Sequence, residues 1–208
     1  MKQTIVFFDI DGVIFDAQKF STAFYEKFLQ KNNLGEEETE KLQDLYGQVK
    51  NEKGFFDPQI FLAKIASQYS IVKKDLEKLW WDEESFQKCL LIDENLLEKI
   101  REKATVGIFS KGEINFQKKK IEKFNSLINP QDIYIFEDKI VKISEVLAKY
   151  QNYKIFVVDD NQKVLEGFKQ MDSLVFTVLV QKEKSENKDV KIDAVIANLS
   201  EIIPLLPQ

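Results

Sequence analysis

Residues 5–16, Ile5-Val6-Phe7-Phe8-Asp9-Ile10-Asp11-Gly12-Val13-Ile14-Phe15-Asp16, decide the fold. The first four are β-branched or aromatic with no polar alternation, the pattern of a strand covered on both faces in a parallel sheet. The apolar run stops on Asp9, and a second carboxylate, Asp11, stands two positions later. While the backbone stays extended, side chains two apart leave on the same side, so these carboxylates are expected to converge on one point. Held together they repel, unless a cation or a shared proton intervenes. Gly12 supplies the backbone freedom for a sharp turn beside a ligand. An Asp/Gly turn after a strand is common in α/β proteins, so the meaning of this one depends on the rest of the chain.

The segment directly after it is helical. Phe20, Phe24, Phe28 and Leu29 recur at three- and four-residue steps, a first amphipathic helix that ends near Asn32-Asn33-Leu34-Gly35. A second spans about Glu36 to Val49, with Leu42, Leu45 and Tyr46 on its apolar side. Pro58 suits the first turn of a third, continued by Ile60, Phe61, Ile65 and Tyr69, and Leu76, Leu79 and Trp80 mark a fourth. Trp80 and Trp81 read as packing residues rather than ligand-stacking ones. The stretch 17–91 is therefore expected to be a helical unit inserted between two strands, with residues 1–16 and 92–208 forming the α/β core.

Beyond a helix from Asp93 to Ala104, the strand pattern recurs, and each time it ends on chemistry. Thr105-Val106-Gly107-Ile108-Phe109 ends on Ser110-Lys111-Gly112, where a hydroxyl and free backbone N–H groups before a helix suit phosphate oxygens. Gln117, Lys118 and Ile121 fall on that helix. Ile133-Tyr134-Ile135-Phe136 is followed by Lys139, a point charge able to neutralise a carboxylate and a phosphate together; Lys142, one helical turn on, is the alternative. Lys154-Ile155-Phe156-Val157-Val158 ends on Asp159-Asp160, adjacent acids that leave to opposite sides of a strand. A fifth strand spans Leu174 to Val180, 181–191 is a charged loop, and Asp193-Ala194-Val195-Ile196 with a helix from Asn198 to Leu206 closes the domain. Five strands alternating with helices specify an α/β, doubly wound (Rossmann-like) parallel sheet, whose strand C-terminal ends share one rim where ligands bind. Asp9, Asp11, Ser110, Lys139 and Asp160 all fall on that rim.

Composition narrows the chemistry. The chain has 208 residues, 44% hydrophobic and 12% aromatic, enough for a full core. Its net charge of -5 argues against a nucleic-acid footprint. No apolar run approaches the roughly 20 residues that span a bilayer, and Met1-Lys2-Gln3 carries no signal-peptide pattern, so a cytoplasmic location is expected. Histidine is absent, which excludes Ser-His-Asp and Cys-His catalysis and His-ligated zinc. The single cysteine, Cys89, lies among apolar neighbours and reads as a buried thiol. Three carboxylates and a backbone carbonyl make a hard oxygen site, which without histidine or an available thiolate suits magnesium. Nothing in the sequence speaks to oligomeric state.

Phe8-Asp9-Ile10-Asp11-Gly12-Val13-Ile14-Phe15-Asp16 resembles the first motif of the haloacid dehalogenase (HAD) superfamily, DxDGx(3)D. Ser110, Lys139 and the pair Asp159-Asp160 resemble its second, third and fourth motifs, in order and over nearly the whole chain. The resemblance implies a capped, Mg²⁺-dependent phosphatase acting on a small phosphorylated metabolite. By it, Asp9 is the nucleophile that becomes an aspartyl-phosphate, and Asp11 is the general acid and base. Ser110 with Lys139 holds the transferring group, and Asp9, Asp11, Asp160 and Asp159 form the metal site, Asp160 being the direct ligand of the pair. It also implies that the helical insertion at 17–91 is the cap, with Asp16 beginning its hinge. The pair Asp159-Asp160 departs from the commoner pattern of acids several residues apart. A phosphomutase, a 2-haloacid dehalogenase and a non-catalytic binding module on the same fold remain alternatives.

Overall fold

The computed structural model describes residues 3–181 and 192–207. Its centre is β1 (Gln3–Phe8), in which Ile5 to Phe8 are all fully buried. On one side β1 pairs with β2 (Thr105–Lys111) and that with β3 (Ile133–Phe136); on the other it pairs with β4 (Tyr153–Asp159), then β5 (Phe176–Val180) and β6 (Ala194–Ile196). Among the described residues all five pairings are parallel, in the order β3-β2-β1-β4-β5-β6. The sixth strand is one more than the sequence pattern announces. It is three residues long, too short to show a period, and its register is set by Val178, Leu179 and Val180 alongside it. Of the charged loop expected at 181–191, residues 182–191 lie outside the described residues.

Alternation along β1 builds two cores. Val6 and Phe8 join Val106, Ile108, Phe156 and Val158 on one face, whereas Ile5 and Phe7 join Phe109, Ile155 and Val157 on the other. The second face is covered by α8 (Ile143–Lys149) and α9 (Gln162–Met171) through Ile143, Val146, Leu165 and Phe168. The first is covered by α6 (Glu94–Arg101), by α7 (Ile114–Lys120) and by the C-terminal segment. That segment, Leu199–Leu205, is a 3₁₀ helix rather than the expected α-helix. It contains Pro204, which lacks the N–H that an α-helical ladder would need there.

Between β1 and α6 the chain forms five helices: α1 (Ala17–Asn32), α2 (Glu38–Lys53), α3 (Pro58–Tyr69), α4 (Lys73–Trp80) and α5 (Glu83–Lys88). Local chemistry sets their starts. Asp16 accepts from the Lys19 N–H and Asp57 from the Gln59 N–H, with Pro58 in the first turn. Phe20, Phe24, Phe28, Phe61, Leu62, Ile65 and Trp80 interlock the layer from inside. Two backbone hydrogen bonds tie its ends together where it joins the sheet: Asp16 N–H to Cys89 O at 2.8 Å and Leu91 N–H to Ile14 O at 2.7 Å. Cys89 is buried there, and burial pushes its thiol up from the ordinary range. Among the described residues no helix is long and apolar enough to cross a membrane.

Candidate active site

The rim at the C-terminal ends of β1, β2, β3 and β4 gathers most of the residues the sequence singles out. The crossovers from β1 run one way through β2 and β3 and the other way through β4 to β6, so the end of β1 is a switch point where an open parallel sheet leaves a crevice. Asp9 stands one residue past β1, its N–H still bonded to Val158 O at 2.9 Å. Asp159 ends β4, and Asp160 comes next.

Asp9, Asp159 and Asp160 come together, each with a carboxylate oxygen within 4.8 Å of the others. Lys139 is driven into this cluster from the loop after β3. Its Nζ lies 2.6 Å from Asp159 Oδ2 and 3.0 Å from Asp9 Oδ2, and all three residues are buried. Burial pulls the ammonium down, but the charges of Asp9 and Asp159 outweigh it and leave Lys139 above its usual range. Asp159 is pushed up to about 7, by burial first and then by the charge of Asp9. Asp160 is pushed up to about 6 by the same two causes in the same order. Lys142 takes no part: it pairs with Glu145 at 2.8 Å on an exposed surface.

Gly12 gives Asp160 its place. A Cβ at Gly12 would stand 2.1 Å from Asp160 Oδ2, and Gly12 has a φ of +76°, so a side chain there meets both an overlap and an unfavourable backbone. Asp9 Oδ1 and Ser110 Oγ are buried and have no hydrogen-bond partner among the described residues. Buried polar atoms are normally satisfied, so each has unused bonding capacity at the rim. Three hard carboxylates, one with an unpartnered oxygen, and no nitrogen or sulfur donor fit a divalent cation such as Mg²⁺.

Asp11 is outside the three-acid cluster, although its charge reaches Asp160 as that of Asp9 does. The strand ends at Phe8, and Ile10 O then accepts from the N–H groups of Val13, Ile14 and Phe15, which coils the chain into a single tight turn. After that turn the Asp11 carboxylate meets α7. There Lys120 Nζ reaches Asp11 Oδ1 at 2.6 Å and Gln117 Nε2 reaches Oδ2 at 2.9 Å. Lys120 is itself buried, and burial pulls its ammonium below the usual range despite the opposing charge of Asp11. The sequence pattern puts Gln117 on this helix without a role and gives Lys120 no prominence. The available signal is their spacing: three apart on a helix that starts at the rim, they share its face.

The helical layer presents aromatic rings towards this corner. Phe116 of α7 packs within 5.5 Å of Trp80 and 5.9 Å of Phe56, ring centre to ring centre, and Phe56 stacks on Tyr46 at 4.1 Å. Tyr46 is pushed up from the ordinary phenol range by burial and then by the charge of Asp11. The layer thus comes close enough to Asp11 for its rings to sense that carboxylate.

No protein-family model and no curated protein sequence matches the chain. Solved structures do resemble it over its whole length. A haloacid dehalogenase-like hydrolase from Burkholderia xenovorans LB400 aligns over 98% of both chains with a TM-score of 0.76 at 14% identity. The HAD hydrolase YfnB from Bacillus subtilis, bound to magnesium, covers 100% of both chains with a TM-score of 0.67 at 14% identity. The defluorinating L-2-haloacid dehalogenase Rha0230 aligns over 98% of this chain and 95% of its own, with a TM-score of 0.69 at 12% identity. At such identities the likeness is one of fold: the chain has the α/β fold of the HAD hydrolases, shared by magnesium-binding and dehalogenating members alike.

Proposed function

We propose that this protein is a Mg²⁺-dependent phosphatase that hydrolyses a small phosphate monoester through an aspartyl-phosphate on Asp9, with residues 17–91 as its cap. The observation that carries this reading is the state of Asp9: one carboxylate oxygen is held by buried Lys139 while the other, Oδ1, is buried, without a partner among the described residues, in a residue clustered with Asp159 and Asp160. A carboxylate fixed at one oxygen and open at the other is set up as a nucleophile.

Asp9, Asp159 and Asp160 would hold Mg²⁺, which when bound offsets the repulsion between the acidic cluster and an incoming phosphate. The Asp9 carboxylate oxygen attacks phosphorus, and the bond from phosphorus to the ester oxygen breaks. Lys139 fixes Asp9 for the attack, while Ser110 Oγ, with no other partner among the described residues, donates to a phosphoryl oxygen. Asp11 delivers a proton to the leaving alkoxide. In the second half Asp11 takes a proton from water as that water attacks phosphorus, releasing phosphate and restoring Asp9. Residues 17–91 join the sheet through two short connections beside Asp16 and Leu91, which suits a cap that opens to exchange product.

The dehalogenases among the structural relatives make 2-haloacid hydrolysis the rival reading. It too uses an aspartate nucleophile, but a departing halide needs no proton, so Asp11 and the acidic cluster would have no task. Mass spectrometry of protein quenched during turnover separates the two. With an aryl phosphate and Mg²⁺, the Asp9 peptide should gain the mass of a phosphoryl group, and Asp9→Asn should remove it. An unmodified Asp9 together with halide release from a 2-haloacid would overturn the phosphatase reading. Sugar phosphates isomerised rather than hydrolysed would indicate a mutase.

A further inference from the structure

Helix α7 buries a lysine where its neighbours on the same helix stay out. Lys118 and Lys119 face outward or sit partly exposed, but Lys120 is only 3% exposed, and its partner Asp11 keeps 37% of its side chain accessible. Placing an ammonium in the interior carries a large desolvation penalty, and a pair of this kind is weak evidence for stability. The burden falls on the lysine, while the accessible, working end of the pair is the carboxylate.

The contacts around Asp11 form a grip with two anchored arms. Lys120 Nζ takes Oδ1 and Gln117 Nε2 takes Oδ2, so both oxygens are engaged from one helix face. Each arm is fixed independently of Asp11. Lys120 Nζ lies 4.1 Å from the centre of the Phe116 ring and 5.3 Å from that of Phe15, a cationic head held between aromatic faces. Gln117 Nε2 also donates to Lys111 O at 2.7 Å, and it lies where a Cβ on Gly112 would stand, 2.5 Å away. A carboxylate oxygen accepts more than one hydrogen bond, so this grip leaves lone pairs on the accessible side of Asp11.

We propose that Lys120 is the positioning residue for Asp11, and that with Gln117 it aims that carboxylate at the leaving oxygen of the substrate. This rests on the phosphatase reading, in which Asp11 is the acid and base. Lys120 touches neither substrate nor metal; it acts through Asp11. An error of about 1 Å in placing a catalytic group can lower a rate by about 10²-fold, which sets the expected size of the effect.

The test compares Lys120→Met, which keeps the unbranched stem but not the charged head, with Gln117→Met and Lys120→Arg, using one alkyl and one aryl phosphate with Mg²⁺. In Lys120→Met, kcat for the alkyl ester should fall about 10²-fold while KM and the Mg²⁺ concentration for half-activation stay within a few-fold. The activated aryl ester should lose less in its first step and should accumulate phosphoenzyme. Gln117→Met should show the same pattern more weakly, and Lys120→Arg should recover part of the loss. Equal losses on both esters, or none, would overturn the proposal by showing that the pair is only structural; increased activity would overturn it by making the pair a latch rather than a guide. Wild-type turnover of the esters tests the phosphatase reading separately. Should the wild type hydrolyse neither, crystal structures of the two methionine variants still decide the positioning claim: a rotated Asp11 carboxylate supports it, and an unmoved one overturns it.

Discussion

Replacing Lys139 by methionine should destabilise the protein more strongly as pH rises. In the native fold Lys139 Nζ lies between Asp9 Oδ2 at 3.0 Å and Asp159 Oδ2 at 2.6 Å, with Asp159 fully buried. Removing the cation leaves two neighbouring buried carboxylates uncompensated, and breaking a buried ion pair from one side typically costs about 3–5 kcal/mol. For a chain of this size each kcal/mol shifts Tm by about 2–4 °C, so a fall of roughly 6–20 °C is expected at pH 8. The sign with pH comes from Asp159, whose folded pKa is raised from 3.8 to about 7 even with Lys139 beside it. A carboxyl group with a raised folded pKa binds its proton better in the native state than in the unfolded chain. Its contribution to stability is therefore greatest at low pH and declines as pH climbs from about 4 towards 7. Without Lys139 that window extends above 7, so the difference between variant and wild type should shrink at pH 5 and grow at pH 8. Thermal and urea unfolding, with metal chelated and across that pH range, measure it directly. A difference independent of pH, or larger at pH 5, would refute the reasoning.

Gly12→Ala should shift Asp160, because a Cβ would stand 2.1 Å from Asp160 Oδ2 and the backbone sits at φ +76°. The backbone alone should cost about 1–2 kcal/mol in unfolding, and titration of rate against Mg²⁺ should show a raised requirement. Asp160→Ala should weaken Mg²⁺ binding more than Asp159→Ala, because Asp159 already spends an oxygen on Lys139; equal or reversed effects in a metal titration would assign the ligand to Asp159 instead. Mg²⁺ affinity measured by calorimetry should fall as pH drops below 7, since Asp159 and Asp160 take up protons near 7 and 6 and proton competes with metal; an affinity that rises on acidification would contradict this. Asp11→Asn should slow an alkyl phosphate by about 10²–10⁴-fold and cause an aryl phosphate to build up phosphoenzyme, both read by quenched-flow.

Much of this is legible in the chain because the chemistry sits where periodicity breaks. Each apolar run of a buried parallel strand must end somewhere, and Asp9, Ser110 and Asp159 stand at those ends, so a one-dimensional pattern marks a three-dimensional rim. Asp11 is legible as an acid after the strand, but its partners on α7 are not, because the turn closed on Ile10 O replaces the extended backbone that the two-residue rule assumes. Lys120 is not legible: in a chain with 30 lysines and arginines it differs only by being buried, and burial is a property of the packed helix. The strand Ala194–Ile196 is hidden for a related reason, since three residues next to an existing edge take their conformation from Val178 to Val180. Gly12 is legible as a turn former, but its second role, leaving room for Asp160 at the end of a strand far away in sequence, exists only in the fold.

The most direct test of the central claim is phosphate release from a panel of alkyl and aryl phosphate esters, measured with Mg²⁺ and with excess chelator, for wild type and Asp9→Asn. The account predicts release by the wild type with Mg²⁺, loss of that release in chelator, and none from Asp9→Asn under either condition. Release that survives the chelator, or that survives Asp9→Asn, would contradict it.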